Sequence, residues 1–352
     1  MRSISSIRGG IRPYYLVLVA AMLLGLAVSL FFIYNDNEKS VKDDIIRSAL
    51  ETIAQDGGAI QETPTSAAKI LVSAILEWDL DAVEEAVAQL RLGLSLTDAR
   101  LLAHLARDDR LSEQQQILTL EIIGETGSLE TVDVLLDVTH DTQLDDEIRG
   151  TALVAIGEIF KRNKPNSGTS VLSPFVFDER TELRRSAVNA LAIQAHNDSV
   201  DILIRALDDQ SVVVRARAAI ALGFIGNEIA VPKLIERSQA DPSLFEYVIA
   251  LGKFKDQRAV SYLVTVAIGK REDPRTEFAI AALGEIGDEN GIQALSTVLA
   301  SEDEYLASAA SRSLGKIGGP QAWQTLDAAR GRTWTDSYAR SLYQQALEQA
   351  SR

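Results

Sequence analysis

Apolar positions recur along most of this chain in blocks about 32 residues apart, and each block ends on the same short phrase. It reads LGFIG at Leu222–Gly226, LGEIG at Leu283–Gly287 and LGKIG at Leu314–Gly318, with looser copies from Ile123, Ile156, Leu191 and Leu251. Taking its second residue as a marker gives Gly124, Gly157, Ala192, Gly223, Gly252, Gly284 and Gly315, at steps of 33, 35, 31, 29, 32 and 31 residues. A period of this size means stacked repeats, each one supersecondary unit. The spacing predicts a first helix ending at every marker, a turn, and a second helix whose apolar residues fall three apart. Those second-helix pairs are Val132 and Leu135, Val200 and Leu203, Val231 and Leu234, Val260 and Leu263, Ile292 and Leu295, Trp323 and Leu326. A small marker residue is expected where the first and second helices of a pair come closest. Asp241-Pro242 and Asp273-Pro274 predict sharp first-helix starts, with a capping carboxylate before a proline.

Ahead of the repeats, Val41–Gln55 carries apolar residues at helical spacing, and Asp56–Thr65 reads as a linker with two Gly and a Pro. Ser66–Leu92 splits at Trp78 and Asp79 into two short helices, and Thr97–Arg107 makes another. These lack the phrase and suit a degenerate cap. Nearer the N-terminus, Leu16–Tyr34 runs nineteen residues without a charge, enough helix to cross a hydrocarbon core of about 30 Å. Tyr14, Tyr15 and Tyr34 stand where interfacial aromatics belong, and no small-x-small cleavage site follows Phe31–Ile33. Lys and Arg balance across the span, but translocating a short tail with Arg2, Arg8 and Arg12 is costly, so the tail is expected in the cytoplasm. Ala21, Gly25 and Ser29 lie four apart on one face, a spacing that permits close pairing with another helix.

Composition narrows the function. A formal charge of −15 repels phosphate backbones, so nucleic acid is not the expected partner. With no cysteine, disulfides, thiolate metal sites and cysteine nucleophiles are excluded. Aromatics at 6% alongside abundant Ala, Leu and Ile favour packed helices over a β-sandwich.

The stretch VRARAAIALGFIGNEIAVPKLIE, Val214–Glu236, resembles the HEAT-type repeat also found in phycobilisome bilin lyases. The resemblance implies an all-α solenoid of HEAT-like helix pairs and is nearly silent about function. In that family an Arg eight before the marker braces one repeat on the next. It is present here as Arg149, Arg184 and Arg215, and replaced by Gln116, Leu244, Thr276 and Ala307.

Catalytic chemistry is sparse. His104, His140 and His196 are isolated, and no His-Glu dipeptide of the kind HEAT-type di-iron hydroxylases need is present. Asp108-Asp109, Asp145-Asp146-Glu147 and Asp208-Asp209 lack the alternating ligands of a calcium loop and read as solvated caps. No phosphate loop, nucleophile elbow or dinucleotide fingerprint occurs.

Two surfaces stand out instead. The outward positions of the second helices hold Asp133, Asp201, Pro232, Ser261, Gln293 and Gln324, followed by Val134, Ile202, Lys233, Tyr262, Ala294 and Thr325. Such a row suits a peptide or partner helix. The insertion Lys161–Asp178 joins the basic cluster Lys161, Arg162 and Lys164 to Val171, Leu172, Phe175, Val176 and Phe177. It either makes a contact or fills the gap left by a missing second helix.

The expected organisation is a cytoplasmic tail (1–12), a transmembrane helix (13–34), a stalk helix and linker (35–65), a helical cap (66–111), HEAT-like repeats (112–329) and a C-terminal cap (330–352) bearing Trp334, Tyr338 and Tyr343. The expected function is a non-enzymatic scaffold or adaptor without cofactor. It would bind protein partners beside a bacterial inner membrane, with its large domain in the periplasm and self-association open. A carrier or lyase-like role for a hydrophobic cofactor, implied by the resemblance, is the alternative.

Overall fold

The computed structural model describes residues 42, 44–52, 63–90, 93–165 and 168–351, in two compact units, Met1–Gln61 and Glu62–Arg352. The expected tail, the span 13–34 and its Ala21, Gly25 and Ser29 face lie outside the described residues. Among the described residues no helix is long and apolar enough to cross a membrane. In the first unit, residues 44–52 are helical, within the amphipathic stretch predicted for Val41–Gln55, and Ile45 and Ala49 are buried.

The second unit opens with three helices, α1 (Ser66–Glu77), α2 (Leu80–Leu90) and α3 (Leu96–Leu105). Trp78 ends α1 in the left-handed conformation, so the chain turns where the sequence splits. Thr65 caps α1, and its backbone N–H and hydroxyl both donate to the buried carboxylate of Asp98 on α3, at 2.8 and 3.1 Å. That pairing fixes where the chain enters the stack.

The repeats follow as pairs. The first helices are α4 (Glu113–Thr126), α6 (Asp146–Asn163), α8 (Thr181–Gln194), α10 (Val212–Ile225), α12 (Glu246–Leu251), α14 (Arg275–Ile286), α16 (Glu304–Ile317) and α18 (Ser337–Ala350). The second helices are α5 (Val132–His140), α7 (Gly168–Leu172), α9 (Val200–Ala206), α11 (Val231–Ala240), α13 (Gln257–Ala267), α15 (Glu289–Leu299) and α17 (Gly319–Ala328). Each first helix packs on the next first helix, and α11, α13, α15 and α17 pack in a second row.

The marker glycines do not sit between the two helices of a pair, as expected, but between neighbouring first helices. A β-carbon on Gly124 would meet Ala155 of α6, on Gly157 Ala190 of α8, on Gly223 Ala250 of α12, and on Gly315 Ala346 of α18. The phrase thus works as a small-x-small pair: the residue two before each marker receives the preceding glycine. Ala346 receives Gly315, so α18, from the aromatic C-terminal segment, stacks as an eighth first helix, and the Tyr343 hydroxyl donates to Leu326 O at 2.7 Å.

Two local departures have physical reasons. Asp241-Pro242 starts no helix, because Arg215 and the Ser243 hydroxyl occupy the Asp241 carboxylate at 3.0 and 2.6 Å. α12 begins only at Glu246, and five residues before its marker, where α10 carries Ala218, it carries the fully buried Tyr247. The insertion folds into the second row as the short α7 and a 3-10 turn, Ser173–Phe177. Leu172, Phe175 and Val176 are buried there, whereas Phe177 stays exposed beneath the Arg205 guanidinium, 4.2 Å from its ring centre.

Candidate partner-binding surface

The second-helix row presents Asp133, Asp201, Pro232, Ser261, Gln293 and Gln324 to solvent. One residue further on, the helical rotation turns side chains toward the stack. Val134 and Ala294 are buried there, and Ile202, Lys233, Tyr262 and Thr325 are half-buried. The twelve positions therefore divide into an adaptable outer set and an inner set that is partly engaged.

Two of the inner set hold repeats together. Lys233 Nζ lies 3.0 Å from Asp208, in the turn after α9, and donates to Glu236 at 2.8 Å. The Glu236 and Asp208 hydrogen bonds raise the ammonium above the ordinary lysine range. The Tyr262 hydroxyl donates to Ser238 Oγ at 2.8 Å and accepts from Arg275 Nη1 at 3.1 Å. Arg275 also donates to the Ser238 carbonyl at 2.6 Å, tying α14 back to α11.

The acidic runs are less solvated than the sequence implied. Asp108 is buried, and Asp209 accepts both arms of the Arg184 guanidinium at 2.8 and 3.1 Å. Arg184 and Arg215 each reach a carboxylate in the turn before the next first helix, whereas Arg149 reaches back to Thr139 O on α5 of the preceding repeat and to Asp146 on its own helix. A second arginine device recurs at four turns. Asp108, Asp178, Asp256 and Asp273 each accept from the backbone N–H two residues on and from that residue's guanidinium, in Arg110, Arg180, Arg258 and Arg275. The Arg hydrogen bond holds Asp178, Asp256 and Asp273 below the usual carboxylate range. At Asp108 burial pushes the pKa up, but the bonds and charge of Arg110 outweigh it and the value falls. The pattern Asp-x-Arg is the sequence signal for these turns.

The insertion's basic cluster comes together at the end of α6. Lys161 lies 3.8 Å from Glu158, Arg162 donates to Gly127 O of the preceding repeat at 2.8 Å, and Lys164 closes the helix in the left-handed region. The histidines stay apart: His140 packs on Phe175 at 5.4 Å, and His196 Nδ1 accepts from the Asp198 N–H. Among the described residues no group of three His, Asp or Glu converges as a metal would require. A recess between the starts of α14 and α16 is lined by Arg271, Asp273, Pro274, Glu277, Tyr305 and Leu306. Its side chains bind one another, with the Tyr305 hydroxyl donating to Glu277 and Arg271 stacked 4.3 Å above the Tyr305 ring.

Sequence reasoning passed over the exposed face of the first helices. Phe224, Val212 and Val213 are solvent-exposed on α10. The signal was present: VVVRARAAIALGFI is apolar on nearly every side, whereas a surface helix ordinarily keeps one polar face.

Stacked first helices, a parallel row of second helices and bracing arginines in the turns define a HEAT-repeat solenoid. The HEAT-repeat family model matches residues 169–245 and 277–348. An engineered protein is similar over 86% of this chain and 99% of its own length, at 20% identity and a TM-score of 0.41. The phycocyanin lyase complex of Nostoc sp. PCC7120 is similar over 62% of this chain and 94% of its own, at 19% identity and a TM-score of 0.40. Importin beta is similar over 94% of this chain and 47% of its own, at 11% identity and a TM-score of 0.47. No curated protein matches the sequence.

Proposed function

We propose that this protein is a non-enzymatic scaffold that binds protein partners along its second-helix row, and that the apolar run at 16–34 anchors it in a membrane. The observation that carries the reading is the row itself. Asp133, Asp201, Ser261, Gln293 and Gln324 stand exposed on α5, α9, α13, α15 and α17, in a stack whose spacing is fixed by the glycine contacts of the first row. An extended, pre-organised surface of short polar side chains suits a peptide or partner helix, because little ordering cost falls on the scaffold. Placement in a bacterial inner membrane, with the array in the periplasm, rests on the uncharged span and the arginine-bearing tail before it.

The test is crosslinking capture of the full chain from membranes, in parallel with Ser261→Arg and Gln293→Arg. Both side chains are exposed, so neither change disturbs the stack. The scaffold reading expects one defined protein partner that both substitutions remove. Recovery of the same proteins with and without the substitutions would contradict it.

A further inference from the structure

We draw no further inference here: the strongest candidate, the apolar face of α10 that carries the exposed Val213 and Phe224 and the half-buried Ile220, supports nothing more, because nothing in the structure shows what covers it.

Discussion

At Gly157 a β-carbon would lie 2.7 Å from Ala190 Cα and 2.8 Å from its carbonyl oxygen, and backbone cannot step aside as a side-chain tip can. Gly157→Ala should therefore push α6 from α8 and cost about 1–3 kcal/mol in overpacking, read from chemical denaturation. Gly331 offers the control: nothing lies within 4 Å of a β-carbon there and its φ is not positive, so Gly331→Ala should leave the midpoint unchanged. Acid tests the Asp-x-Arg turns in the same way. Asp108, Asp178, Asp256 and Asp273 have folded pKa values below the unfolded one, so their contribution is complete above the ordinary Asp value of about 4 and is lost as pH falls through the lowered folded values. Melting temperature should drop steeply below that pH. Asp178→Asn should lower it at neutral pH and make its acid limb shallower; an unchanged limb would count against the turns as the acid-sensitive element.

Among the elements, α12 departs furthest from the pattern, with only six residues where most first helices have twelve to eighteen. Tyr247 compensates. It is fully buried, and its hydroxyl faces the Arg215 guanidinium without meeting hydrogen-bond geometry. Tyr247→Ala should cost about 3–5 kcal/mol, as large-to-small aromatic changes in cores do, whereas Tyr247→Phe should change stability by less than about 1 kcal/mol. A large loss for the phenylalanine variant would show that the hydroxyl is satisfied in solution. The sequence announced the repeats because helix packing demands small residues at fixed intervals, and Gly124 through Gly315 met that demand. It misled about which helices those glycines join, since periodicity reports that a contact recurs and does not name the partner. Asp241-Pro242 misled for a related reason: a carboxylate can cap a helix or bind Arg215, and only the fold decides. The outward second-helix positions were legible from helical rotation, but the engagement of Lys233 and Tyr262 was not, because Asp208 and Ser238 belong to other elements.

Over the whole molecule, nearest-neighbour contacts make stability a sum of repeat and interface terms, with the ends exposed. At the N-terminal end the Asp98 carboxylate holds the cap of α1, and Asp98→Ala should cost about 1.5–3 kcal/mol, the usual worth of hydrogen bonds to a charged group. Hydrogen exchange should then show α1 opening before α4, and uniform exchange along the stack would contradict that order. The account gives the second helices one task, to receive a partner. A photoreactive side chain at Gln293 tests this on the full chain in its membrane. The account predicts one discrete adduct with a different protein. An absence of protein adducts at Gln293 would contradict it.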